Sequence, residues 1–372
     1  MKRPWKSLVA LAIAFAVLVV PVQAHAAAPT ATLPAPSGVY PVGFEKVHLI
    51  DRSRADPWVP AAGPRELLVS LWYPTVAPYG RGKQYLSVAE SRALLEFHKV
   101  PLDPTAVAGV RGADRAHAPV LPTLRGYPLV VLSPGFTLPV ATMTSVAQDL
   151  ASLGYIVAGI DHPYESAGLD LPGGRFASCV ACETASPGQV PPVRVRDVSF
   201  VLDQLTGRRP VWPGARWIDR TRIGMAGHSI GGNTAFDAMR ADRRIDAGIN
   251  LDGTFFTAPP GEGMDRPFLM LGTPAHARGG IDSSWDRAWP LLTGWRRWFV
   301  AEGTGHLSFT DFPVLGKRFN LPVDPAVPLD GDRTDQLTRA VIHDFFNHHL
   351  NHRPATALLN GTDPAYPELH RQ

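Results

Sequence analysis

The chain has 372 residues, 45% hydrophobic and 19% charged, enough for one large domain or two ordinary ones and too apolar for a wholly disordered chain. No Gly-X-Y period runs through it, which excludes a collagen-like rod. The formal charge of +3 equals the contribution of Lys2, Arg3 and Lys6; without them basic and acidic residues balance. A nucleic-acid binder should keep a basic excess on its folded part, so no nucleic-acid partner is expected.

Those three cations precede an apolar run, Leu8 to Val20, which Pro21 closes and which small residues at Ala24 and Ala26 follow. The layout predicts a secretory signal peptide over residues 1–26 and an extracellular protein. The run is short of the ~20 apolar residues a spanning helix needs. Residues 27–39, rich in Ala, Pro and Thr, read as a flexible lead-in to one domain over residues 40–372.

β-type runs at Lys46–Ile50 and Glu66–Tyr73 predict an opening antiparallel pair. Ser87 and Glu90 form a capping box that should start a helix reaching Lys99. Its Leu94, Leu95 and Phe97 either border the active site or pack on the domain's own core. Residues 76–125 otherwise read as an insertion, with the question of a lid left open. Then strands and helices alternate. Tyr127–Leu132, Tyr155–Ile160, Arg222–Ala226, Ile245–Leu251, Pro267–Leu271 and Arg297–Val300 read as strands. Val140–Leu153, Val195–Leu205, Ile230–Arg240 and Leu337–Leu350 read as helices. This rhythm predicts an α/β fold, a mainly parallel central sheet with helices on both faces.

The two cysteines, Cys179 and Cys182, lie in a loop rich in Gly, Ser and Pro from Pro163 to Pro192. They offer too few ligands for a metal site, and export would place them where disulfides persist, so a small structural bridge is expected.

Gly227-His228-Ser229-Ile230-Gly231 matches G-x-S-x-G between a predicted strand and a predicted helix. In that setting the middle residue is held in a strained turn with its hydroxyl exposed at the sheet edge, the α/β-hydrolase nucleophile elbow. A serine needs a base and the base an orienting carboxylate, here in the order Ser, acid, His. His306, in a glycine-rich loop after the last strand, is the preferred base, and His276 is the runner-up. Asp252, which ends the strand after the nucleophile's helix, is the preferred acid over Asp282 and Asp286. The histidines from His343 to His352 read as a solvated helix end rather than a metal cluster. Ser133-Pro134-Gly135-Phe136 follows an earlier strand and fits the loop that supplies one oxyanion donor. The donors would be the backbone amides of Phe136 and Ile230.

The segments Tyr127–Phe136, Asp149–Val157, Gly227–Gly232, Asn250–Gly253 and Gly305–Phe312, in that order, resemble the secreted type of platelet-activating factor acetylhydrolase and its bacterial esterase and lipase relatives. The resemblance covers about Tyr40 to Leu350. It implies an α/β-hydrolase acting on carboxylic esters without metal or other cofactor, with Ser229 as nucleophile, Asp252 as acid and His306 as base. The chain departs from the family in carrying Pro134-Gly135 where His-Gly is usual. The donor there is a backbone amide, so that change need not abolish the hole.

The leading expectation is therefore a secreted serine ester hydrolase for short- or medium-acyl esters or short-acyl phospholipids, touching a lipid surface transiently at most. A lipase or polyester hydrolase is the alternative within the class. A non-catalytic surface-binding protein that keeps the fold is the alternative outside it. The oligomeric state is left open.

Overall fold

The computed structural model describes residues 31–77, 80, 82–256 and 263–372. The signal-peptide segment lies outside the described residues. Chain order runs β1 (Val42–Ala55), β2 (Pro64–Pro74), α1 (Val88–His98), α2 (Pro104–Ala108), β3 (Arg115–Ala116) and β4 (Tyr127–Ser133). There follow α3 (Thr144–Ser152), β5 (Ile156–Asp161), the hairpin β6 (Gly168–Leu171) and β7 (Arg175–Ser178), α4 (Ala181–Thr184) and α5 (Val190–Thr206). The second half holds β8 (Ile218–His228), α6 (Ile230–Ala241), β9 (Ala247–Leu251), β10 (Phe268–Gly272), α7 (Ser284–Ala288) and β11 (Arg296–Ala301). It closes with α8 (Phe312–Arg318), α9 (Gly331–Leu350), α10 (Ala357–Asn360) and β12 (Leu369–Arg371).

Ten strands form one sheet in the order β12-β11-β10-β9-β8-β4-β5-β2-β1-β3. The central run from β5 through β11 is parallel, and β2 and β12 add antiparallel neighbours. The fold is thus the expected α/β-hydrolase architecture. Strand β4 shows why. Its continuous apolar run is buried throughout, with Leu129 and Val131 packed on one face and Val130 and Leu132 on the other. Alternate side chains of a strand point to opposite faces, so such a run demands cover on both. Val198, Val201, Leu202 and Leu205 of α5 and Phe236 of α6 cover the first face. Leu337, Val341, Ile342, Phe345 and Phe346 of α9, one helical stripe, cover the second together with α3.

Several boundaries differ from the sequence reading. Helix α5 starts at Val190, because Pro191 and Pro192 sit in its first turn, where a missing N–H costs nothing. Helix α9 starts at Gly331, capped by the Asp330 side chain. The Cys-bearing loop contains a hairpin, turned at Gly173 and Gly174 with φ of 79° and 72°, values glycine adopts freely. The described part of the lead-in is not loose: Leu33 donates its amide to the Arg111 carbonyl, and Ser37 and Gly38 donate theirs to Asp149 and Ser152. Ala31 and Leu33 are buried against Leu94, Leu95 and Val110, so segment and insertion cover each other. The insertion also adds β3 to the sheet edge, paired with Gly43 and Phe44.

The register positions the chemistry. Ser133 pairs with Gly227, His228 with Leu251, and Leu251 with Leu271. The loops carrying Phe136, Ser229, Asp252 and Thr273 therefore leave the sheet side by side at its carboxyl edge, where ligands of α/β sheets bind.

Candidate active site

Ser229 sits between β8 and α6 with φ 56° and ψ −126°. A non-glycine residue held there is strained, and the surroundings enforce it. A Cβ on Gly227 would lie 2.1 Å from the Gly231 carbonyl, and one on Gly231 2.0 Å from the Ser133 carbonyl oxygen. Only glycines allow strand, turn and helix to approach this closely. The Ser229 amide donates to the Leu251 carbonyl at 2.8 Å, locking the turn to the adjoining strand.

His306 brings its Nε2 to 3.0 Å from Ser229 Oγ and its Nδ1 to 2.7 Å from Asp252 Oδ2. Asp252 is 2% exposed and also has positive φ, 55°. Its burial pushes the carboxyl pKa up, but hydrogen bonds from His276 and His306 outweigh this and hold it well below the usual carboxylate range. His306 is half exposed, so a reacting group can approach from solvent. Its backbone carbonyl accepts from His228 Nε2 at 2.7 Å. Burial, then the neighbouring His306, lower the His228 pKa to about 3, so this ring is a neutral donor that steadies the His306 loop.

The two amides singled out as oxyanion donors both follow the Ser133–Gly227 register pair by three residues. Ile230 is the first residue of α6, where an amide has no intrahelical partner. The Phe136 amide donates to no acceptor among the described residues. The Arg194 guanidinium bonds the carbonyl oxygen of Pro134 and, at 3.2 Å, Ser133 Oγ, bracing that loop from within.

Other sequence expectations sort themselves by distance. His276 does not serve Ser229. Its Nδ1 lies 2.8 Å from Asp252 Oδ1 and its Nε2 3.0 Å from Asp282 Oδ2, so both nitrogens are taken. Asp282 and Asp252 are thus not exclusive alternatives for one imidazole; Asp282 binds the histidine behind Asp252. Spacing alone could not show which way that ring faces. Asp286 accepts the Gly279 amide and bonds neither histidine among the described residues. Cys179 and Cys182 are joined, with Cα atoms 5.3 Å apart, beside the β6–β7 hairpin. Of the helix α1 residues weighed, Leu94 and Leu95 pack on the core, while Phe97 is 45% exposed. His98 reaches Thr137, next to Phe136, at 3.4 Å. The end of α9 is less solvated than expected, since His349 packs on Trp295 and Phe345.

One trio among the described residues has its donor atoms spaced for a metal, His162, Glu165 and Asp197. Arg65 and Arg194 already occupy these carboxylates at 2.7 to 3.0 Å, so the site fits guanidinium rather than an ion. A cavity of about 920 Å³ opens beside β1 and β5, lined among others by Lys83, Glu90 and Asp161; no member of the Ser229–His306–Asp252 chain lines it.

Residues 214–351 match the family model for platelet-activating factor acetylhydrolase, isoform II. A probable 1-alkyl-2-acetylglycerophosphocholine esterase of Arthroderma benhamiae is 29% identical, covering 91% of this chain and 92% of its own. A bis(hydroxyethyl) terephthalate hydrolase of Streptomyces coelicolor is 27% identical, over 57% of this chain and 64% of its own. The solved structure of a ferulic acid esterase from Streptomyces cinnamoneus superposes with a TM-score of 0.83 and 42% identity, covering 92% of this chain and 99% of that one.

Proposed function

The chain belongs to the platelet-activating factor acetylhydrolase family and its esterase relatives, and on that premise we propose that this carboxylic-ester hydrolase works through Ser229, His306 and Asp252. The observation that carries the reading is the hydrogen-bonded chain from a strained, reachable serine through His306 to a buried carboxylate. Ser229 Oγ attacks the ester carbonyl while His306 Nε2 takes its proton. Asp252 accepts from Nδ1–H, keeps the correct tautomer in place and stabilises the imidazolium. The amides of Phe136 and Ile230 donate to the oxyanion of the tetrahedral intermediate. On collapse His306 protonates the departing alcohol. It then activates a water that releases the acid and restores Ser229.

The proposed substrates are esters of short or medium acyl chains, short-acyl phospholipids included. Leu307 and Phe256, which follow His306 and Asp252, are 38% and 41% exposed and offer apolar contact for the acyl part. A second reading, esters of aromatic acids, is favoured by the 42% identity to the ferulic acid esterase. We further propose that the protein is exported, from the signal-like residues 1–26 and the cysteine bridge.

A fluorophosphonate probe should label the wild type and not Ser229→Ala; labelling that persists in the folded variant overturns the triad. Rates on a series from acetyl to palmitoyl esters, with methyl ferulate alongside, decide the acyl group. An optimum at palmitoyl with activation at an oil interface would make the protein a lipase instead.

A further inference from the structure

The carboxylate behind the proposed base is itself held by a second histidine. His276 stands between two carboxylates, 2.8 Å from Asp252 Oδ1 and 3.0 Å from Asp282 Oδ2. The other neighbours of those carboxylates are backbone amides, a hydroxyl and His306. Asp252 Oδ1 accepts the Thr273 amide at 2.7 Å and Oδ2 accepts from His306. Asp282 accepts the Ser284 amide at 2.8 Å and the Thr254 hydroxyl. The amides can only donate, and although burial raises both carboxyl pKa values, hydrogen bonds lower them by more, so both acids are anions and His276 supplies both hydrogens. An imidazole with a proton on each nitrogen is a cation.

The rest of the setting suits one. The Trp285 ring of α7 stacks on the imidazole, centroids 4.4 Å apart and planes 30° from parallel, a face that attracts positive charge. Trp298 of β11 donates its Nε1–H to the His276 carbonyl at 2.9 Å, fixing the loop. Arg278 on the same loop lays its guanidinium over the rings of Trp298 and Trp289. The charged groups facing the ring are therefore Asp252 and Asp282, with His306 across Asp252.

We propose that His276 is a positioning residue carrying a fixed positive charge at neutral pH, which clamps Asp252 from behind and offsets part of the negative charge felt by His306, with Asp282 holding it in place. The pair of acids and the His276 cation sum to one negative charge in the resting site. When His306 takes the serine proton, the four groups sum to zero. Burial disfavours a charged His276, but its bonds with Asp252 and then Asp282 prevail and raise its pKa.

The inference rests on the triad reading, so its experiment first examines His276 itself. In the wild type at neutral pH, histidine ¹⁵N NMR should show protons on both His276 nitrogens. The acid limb of kcat/KM against pH then reads the charge. His276→Gln removes a cation and should move that limb up by about one pH unit, with a loss in kcat of roughly tenfold to a hundredfold from a looser Asp252. Asp282→Asn removes an anion while His276 stays protonated by Asp252, and should move the limb down with a smaller loss. A side chain that only filled space would not give shifts of opposite sign. A neutral His276, or two variants that shift the limb in one direction or not at all, overturns the proposal. Failure of the triad would show separately, as fluorophosphonate labelling that survives Ser229→Ala.

Discussion

Two Ser-His-Asp chains stand among the described residues, their serines at the ends of the adjoining strands β4 and β8. In the first, His306 lies 3.0 Å from Ser229 and 2.7 Å from Asp252. In the second, His162 lies 3.1 Å from Ser133 Oγ and 2.7 Å from Asp197 Oδ2. By distance they are interchangeable. By environment they are opposites. Ser133, His162 and Asp197 are at most 2% exposed, and Ser133 lies in the regular backbone of β4. Its hydroxyl also receives Arg194, and Asp197 is clasped by Arg54 and Arg65. Burial, then Arg194, lower the His162 pKa, so the ring stays neutral and the whole chain is a strut. The strut ties the end of β4, where the proposed oxyanion loop begins, to β5 and α5. Distances between three side chains thus do not define a catalytic site. Exposure, a strained turn and free amides are what set the proposed site apart.

The largest expected difference is between the two serines. Ser229→Ala should lower kcat by about 10⁶-fold, as removal of a triad serine does elsewhere, with thermal stability unchanged. Asp252→Asn should cost on the order of 10⁴-fold through the wrong imidazole tautomer. An Asp252→Asn protein that stays within tenfold of wild type would break the distinction drawn between the two chains. Steady-state rates and circular dichroism melts on purified variants check both.

Arg194→Met should act on both regions. It takes from buried Glu165 one of its two guanidinium partners, Arg65 staying in place, and removes the donor to the Pro134 carbonyl, a loss of about 1–3 kcal/mol by denaturant titration. It also frees the loop carrying Phe136, so kcat should fall about tenfold to a hundredfold. Lost stability with unchanged kcat would show that the strut does not support the oxyanion loop. Ser133→Ala should be mildest, costing about 1 kcal/mol for its hydrogen bond and leaving kcat within a few-fold.

Acid should find the strut before it finds the surface. His162 and His228 have folded pKa values below the unfolded value of about 6.5. The unfolded chain therefore binds protons first, and their share of stability is complete above pH ~6.5 and shrinks as pH falls. Burial raises the pKa of Asp197, but Arg65 more than reverses this, so the Asp197 share is lost only as pH falls below about 4. Melting temperature should decline from pH ~6.5 downward, with a second, steeper loss below pH ~4. An acid dependence of the melting temperature that is unchanged in His162→Gln would contradict the burial of a neutral imidazole there.

What could be read from the sequence was what local sterics dictate. The elbow needs glycines beside Ser229, the acid ends an apolar strand, and β4 must be covered on both faces. What could not be read depends on pairing across the chain. Two-residue β3 finds Gly43 and Phe44 far upstream, and residues 31–39 find Ser152 and Arg111. His276 was visible as a histidine near the site, but its role follows from ring orientation, which spacing does not encode. The buried chain of Ser133, His162 and Asp197 had one trace, an arginine at position 65 in a strand otherwise rich in apolar residues. A fully buried guanidinium demands several carboxylates; Asp56 is nine residues away, but Glu165 and Asp197 lie a hundred or more away.

Phe256 and Leu307 are exposed on backbone that is anchored, at the Phe256 amide by Asn233 and beside Leu307 by His228. Their side chains take no part in either hydrogen-bonded chain or in the packing beneath the sheet. Mutational tolerance is therefore separated from catalysis by a few ångströms of backbone. A library randomised at these two positions can explore acyl preference while the nucleophile, its strut and its charge balance stay untouched, so most of its members should still fold and turn over some ester.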